Sequence, residues 1–291
     1  MKISFSTLAC PEWSLTQVLE LAAWSGYDGI ELRFLEGEDS LWKLPVFRGA
    51  RLQAAKCQIS ASGLAISCLD TSCRFDSPDQ SEREKWIEEG ERMVELAVDL
   101  GAPGIRVFGD RIHPEANREA TTGWIIESLA TLAHKIHDSG VEIWLETHGD
   151  FSCSSDVHGI LSQCPEIRVV WDPASAYIRS LERPLDNGLA LERYVGHTHI
   201  KDMQEKNGQW VPVLTGEGEF PLNEVRSVME KIGYAGFLSF EWEKKWHPSI
   251  ENAEVAVPHF ASWFRENWLR TSRLGKHGEG GPWGTSMMPT A

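Results

Sequence analysis

Short apolar runs alternate with longer amphipathic stretches along the chain, eight times in all. Lys2–Thr7 (KISFST), Gly29–Phe34 (GIELRF), Leu64–Leu69 (LAISCL), Ile105–Phe108 (IRVF), Glu142–Leu145 (EIWL), Arg168–Trp171 (RVVW), Val195–Thr198 (VGHT) and Phe237–Phe240 (FLSF) each read as a strand. They are short, largely apolar and bounded by turn residues. The intervening stretches carry helical periodicity. Ser14 with Gln17 makes a capping box before Leu15–Trp24, and a second helix lies near Gly49–Ser62. Ser81 with Glu84 is expected to cap a strongly periodic helix that ends near Leu100–Gly101. Further helices are expected over Glu119–His137, Leu222–Lys231 and near Glu251–Trp268. Strict βα alternation predicts a parallel sheet with helices outside it. At 291 residues, the fold class is α/β, a single (β/α)8 TIM-barrel domain over residues 1–270. Residues 271–291 form a Gly/Ser/Thr/Pro-rich C-terminal tail whose composition is that of a disordered segment.

In a closed barrel the C-terminal ends of parallel strands surround one cavity. Glu146, Asp172, His199 and Glu241 each fall at or just past such an end. Three carboxylates and an imidazole brought together repel one another and resist desolvation unless a cation sits among them, so this set predicts a divalent metal. The first three residues are spaced 26 and 27 positions apart, close to one βαβ unit of roughly 30 residues. The next gap, 42 positions to Glu241, contains Gln209–Leu214 (QWVPVL), which reads as an added strand, and the turn Gly216–Gly218. A long insertion on the active-site side is a candidate lid.

Neighbouring polar residues have two readings each. His148 and His197 are candidates for substrate contact or for support of the metal site, and equally for packed structural histidines. Lys201 and Arg106 stand at strand ends, where they can hold a substrate oxygen or pair with the surrounding carboxylates. Glu243 shares a face with Glu241 and is a candidate for support of the metal site or for a salt bridge to a neighbouring lysine. Trp246 and His247 follow closely and are candidates for the pocket rim. Glu31, Arg33 and Asp70 have inward-facing positions as their only evidence, and Glu217 reads as an exposed turn residue. Asp172, preceding Pro173, also suits a turn or helix cap.

Charge narrows the function classes. With 28 Lys+Arg against 43 Asp+Glu the formal net charge is −15, which opposes binding to nucleic acid or to an anionic membrane surface. No run of 18 apolar residues occurs, so a membrane span is not expected. Six cysteines without a CxxC pair, and an N-terminus without a basic-then-apolar leader, suit reduced thiols in a cytoplasmic protein.

The pieces LETHG (Leu145–Gly149), WDP (Trp171–Pro173), HTHIKD (His197–Asp202) and GYAGFLSFEWE (Gly233–Glu243) occur in order, each at a strand end. In this the chain resembles the sugar (phosphate) isomerases and epimerases built on a xylose-isomerase-like TIM barrel, the D-tagatose 3-epimerase and inosose dehydratase superfamily. The resemblance covers Met1 to about Leu269. It implies one divalent ion, Mn2+ before Mg2+, Co2+ or Zn2+, held by Glu146, Asp172, His199 and Glu241, with His199 chosen over His197 on the HIKD match. It also implies that Glu146 and Glu241 are catalytic, one removing a proton beside a carbonyl and the other returning it through a metal-bound enediolate. The ketose 3-epimerases carry a histidine where this chain has Ser175 and an arginine where it has Glu205. The resemblance therefore carries the general chemistry, a sugar isomerase or epimerase, with an inosose-type dehydratase as the alternative. A metal-dependent phosphodiesterase needs a multinuclear cluster and a cationic face, and a non-catalytic sugar-binding barrel would have lost a ligand; both fit less well. The expected partner is a small sugar or cyclitol, with a homo-oligomer allowed.

Overall fold

Leu145 and Glu146 are neighbours in sequence and belong to different environments, and the same alternation runs through eight strands of the barrel. In this computed structural model, which describes residues 1–269, the strands are β1 (Lys2–Ser6), β2 (Gly29–Leu32), β3 (Ala65–Arg74), β4 (Gly104–Phe108), β5 (Glu142–Glu146), β6 (Arg168–Trp171), β7 (Val195–Ile200) and β10 (Phe237–Phe240). They close in the order β1-β10-β7-β6-β5-β4-β3-β2, every pair parallel. The (β/α)8 expectation therefore holds. The C-terminal tail lies outside the described residues.

Nine α-helices follow the strands among the described residues: α1 (Leu15–Ser25), α2 (Gly49–Ser62), α3 (Gln80–Leu100), α4 (Arg118–Ile136), α5 (Ser154–Leu161), α6 (Pro173–Ser180), α7 (Pro184–Ala190), α8 (Leu222–Lys231) and α9 (Ala253–Phe264). None is long and apolar enough to cross a membrane. The Ser14–Gln17 capping box opens α1 as expected. At α3 the cap is Asp79 instead of Ser81: the Asp79 carboxylate accepts the backbone N–H of Ser81, because the helix starts two positions earlier than the capping-box pattern suggested.

One side of the strands builds the shell under the helices. Phe5, Ile30, Leu32, Ile105, Val107, Leu145, Val169, Trp171, Ile200, Leu238 and Phe240 are buried there with residues from the helices. The alternate positions point into the barrel, where Cys68, Trp144 and Val170 make a small separate apolar cluster. Gly104 and Gly196 leave room for the Trp144 indole; a Cβ at either would stand 2.5 or 2.7 Å from it. Above this plug the interior is charged.

The expected added strand is β9 (Gln209–Val213), and it pairs antiparallel with β8 (Asp202–Lys206), which follows β7 directly. Asn207 and Gly208 both have positive φ, 55° and 79°, as a two-residue type I′ turn requires. The polar sequence of β8 gave no strand signal because it pairs only with β9, outside the barrel core. Asp202 anchors the hairpin base by accepting the N–H groups of Gly216 and Gly218.

Candidate active site

The strand ends deliver their polar residues to one buried group. His199, on β7, is fully buried. Its Nδ1 is 3.4 Å from Glu146 Oε1 and 3.5 Å from Glu241 Oε1, and its Nε2 is 3.2 Å from Glu31 Oε1. Neither ring nitrogen has a hydrogen-bond partner. Glu146, His199 and Glu241 offer ligand atoms within 4.8 Å of one another. Asp172 stands one step aside. Its Oδ1 caps α6 by accepting the N–H groups of Ala174 and Ser175, while its Oδ2 is 3.0 Å from Lys201 Nζ.

Two cations hold the carboxylates apart. Lys201 Nζ lies 2.5 Å from Glu241 Oε2 and 2.6 Å from Glu243 Oε1 in addition to Asp172. Arg106 lies 3.2 Å from Glu146 Oε2 and 3.3 Å from Asp70 Oδ2, its guanidinium stacked over Phe108. Of the two readings for Lys201 and Arg106, ion pairing is the geometry found, and their partners are the site's own carboxylates.

Charge regulation follows from these contacts. Burial works to raise the Glu146 carboxyl, but Arg106 and His199 outweigh it and hold the group well below the usual carboxylate range. At Glu241 burial prevails over Lys201 and His199, and the repulsion from Glu146 adds to it, so its carboxyl is raised. His199 and Lys201 are both raised despite burial, His199 by Glu241 and Glu31, Lys201 by Asp172 and Glu241. Asp70 is pushed up to about 7, chiefly by burial.

The remaining predicted residues surround this group. His197 is buried, donates from Nε2 to Glu31 Oε2 at 2.5 Å and stacks on Trp144 at 5.3 Å. His148 has 40% of its side chain exposed; its Nδ1 is 3.0 Å from Asp110 Oδ1 and its ring rests against Phe108. Burial tends to lower it, but the hydrogen bond to Asp110 and the charge of Glu146 hold it above the ordinary histidine range. His247 lies 3.4 Å from Glu243 on the rim, and the largely exposed Trp246 packs edge-on against Phe34. Glu217 is an exposed turn residue.

Sequence reasoning missed the weight of Glu31, Asp70 and Asp110. Strand alternation marked Glu31 and Asp70 as inward-facing, but nothing local said that Glu31 would reach β7. Asp110 sits at φ 57° just beyond β4, a conformation in which Asp is among the tolerated residues, and that turn is what aims it at His148.

The residues fit a divalent cation. Among the described residues, six carboxylates (Glu31, Asp70, Glu146, Asp172, Glu241 and Glu243) face three permanent cations (Arg33, Arg106 and Lys201), and the central imidazole has both nitrogens unpaired. Burying such an excess without a cation is costly.

A family model described as a xylose isomerase-like TIM barrel matches residues 19–267. The L-ribulose-5-phosphate 3-epimerase UlaE of Escherichia coli (strain K12) is 25% identical over 266 residues, spanning 88% of this chain and 90% of that protein. A D-psicose 3-epimerase from Clostridium cellulolyticum H10, solved with D-tagatose, matches with a TM-score of 0.73 at 16% identity, over 91% of this chain and 98% of that one. The IolI protein, solved with a bound zinc atom, matches with a TM-score of 0.76 at 19% identity, over 91% and 97%.

Proposed function

The chain belongs to the xylose isomerase-like TIM-barrel family, and we propose that it is a divalent-metal-dependent sugar epimerase or isomerase working by proton transfer beside a carbonyl. It is an enzyme acting on sugars, as its epimerase relatives are. The observation that carries the finer reading is the buried, unpartnered Nδ1 of His199 facing one oxygen each of Glu146 and Glu241. Glu146, His199 Nδ1 and Glu241 would hold the ion, joined by Asp172 through the oxygen it shares with Lys201. A bound divalent ion would polarise a sugar carbonyl and its adjacent hydroxyl, acidifying the C–H between them. Mn2+ suits the oxygen-rich set, and an imidazole also suits Zn2+.

The protein's own groups supply the rest. Glu146, kept ionised by Arg106, is the base that takes the proton. Glu241, whose carboxyl is raised, is the group that returns it, and Lys201 fixes its orientation. Epimerisation requires the two to act on opposite faces of the sugar carbon. Incubation with ketoses and their phosphates in D2O, with and without Mn2+, tests this: deuterium appears beside the carbonyl only with metal. Shielded proton return hides exchange, so a primary isotope effect on C-deuterated substrate is the companion measurement. An active substrate giving neither signal sinks the proposal.

A second reading, an inosose-type dehydratase on the same site, is favoured by His148. Its half-exposed ring, oriented by Asp110 and held above the ordinary histidine range, is placed to protonate a departing hydroxyl near Glu146. Product analysis separates the two: an epimer keeps the substrate's mass, and a dehydrated product loses one water.

A further inference from the structure

We infer that Glu31 is the positioning carboxylate of the His199 imidazole, taking the Nε2–H so that Nδ1 is left as the bare nitrogen facing Glu146 and Glu241; this rests on the metal-site reading above. Glu31 lies on β2, which is separated from β7 by β1 and β10, so its side chain crosses the barrel interior to reach both histidines. Irregularities in strand register accompany both ends of this bridge. The β2–β3 pairing shifts between Ile30 and Glu31, leaving Ser67 as the extra residue, whose hydroxyl bonds to the Ile30 carbonyl. The β6–β7 pairing shifts between Val169 and Val170, leaving Gly196 extra immediately before His197. Such bulges re-aim side chains.

The bridge is fixed from its lower end upward. Trp144 donates its indole N–H to Glu142 at 2.7 Å and supports the His197 ring, their planes 10° apart. His197 in turn donates to Glu31 Oε2. That leaves Glu31 Oε1, buried and without a hydrogen-bond partner, 3.2 Å from the equally buried and unpartnered Nε2 of His199. Two orphaned groups at that distance answer one another, since each left alone carries a desolvation penalty. With an ion on one ring nitrogen the imidazole is neutral and keeps one N–H. An anionic Glu31 requires that proton at Nε2, because the other tautomer would set a nitrogen lone pair against the carboxylate. Nδ1 is then the free donor atom, which is how a carboxylate behind a metal-bound histidine selects its tautomer and ring orientation.

Histidine-selective 15N NMR on wild-type protein loaded with diamagnetic Zn2+ reads the tautomer directly. The expected pattern is a proton on Nε2 and metal on Nδ1 of His199; the reverse assignment overturns the inference and needs no variant to fold. Mn2+ calorimetry on wild type, Glu31→Gln and His199→Ala then separates this inference from the reading it rests on. Loss of binding in His199→Ala with binding weakened about 10- to 100-fold in Glu31→Gln supports both. Wild-type affinity in Glu31→Gln overturns the role of Glu31 alone, whereas undiminished binding in His199→Ala overturns the metal-site reading.

Discussion

The two faces of the same strands obey opposite rules. On the helix side, Leu145, Val169, Ile200 and Phe240 sit in a continuous apolar shell. On the barrel side, at a position adjacent to each, are Glu146, Val170, His199 or Lys201, and Glu241. The shell is assembled from side chains that gain by leaving water, so it stabilises the fold without needing exact partners. The interior above Trp144 consists of groups that lose by leaving water, and they stay buried only through mutual pairing: Lys201 with Asp172, Glu241 and Glu243, Arg106 with Glu146 and Asp70. Stability and chemistry are thus divided between alternate residues of one strand set.

The sharpest way to break this division is to change only the proton-handling atoms. Glu146→Gln or Glu241→Gln keeps the volume and a ligating oxygen, so turnover should fall by about 10²- to 10⁴-fold while Mn2+ still binds the folded variant. Steady-state kinetics, calorimetry and melting curves on the same samples check it. A variant that keeps its turnover removes that glutamate from the chemistry.

The converse change belongs in the shell. Phe240 is fully buried and stacks on Phe260 with ring centres 4.6 Å apart. Phe240→Ala should cost about 3–5 kcal/mol of unfolding free energy, read by denaturant titration, with Mn2+ affinity of the folded protein nearly unchanged. Loss of metal affinity at conditions where the variant remains folded would show that shell and interior are not separable.

A smaller effect sharpens the boundary at the rim. Glu243 feels burial raising its carboxyl, but Lys201 and the hydrogen bond to His247 outweigh it and bring the group down to about 2. A carboxylate depressed on folding adds stability that is fully present above its unfolded value near 4.5 and disappears as pH falls toward 2. Glu243→Gln should therefore melt below wild type at pH 6–7, and the gap should close between about 4.5 and 2 in a pH series of melting curves. A gap that is independent of pH would mean that the interaction is not charge-based.

Much of this was readable in the chain. Eight apolar runs separated by helical patterns determine a parallel barrel, because period-2 and period-3.6 burial are local properties. Strand ends placed Glu146, Asp172, His199 and Glu241 at one mouth for the same reason. Sequence also determined the loop insertion, although β8 (DMQEK) was invisible because an exposed hairpin strand needs no apolar alternation. Tertiary structure alone decided the pairings. Whether Lys201 faces substrate or carboxylates depends on where β6 and β10 bring Asp172 and Glu241. The reach of Glu31 to His197 and His199 crosses 166 residues of chain and passes two register shifts. Hydrophobic burial is written position by position, whereas a buried charge is specified only by the partner that closure of the barrel brings to it.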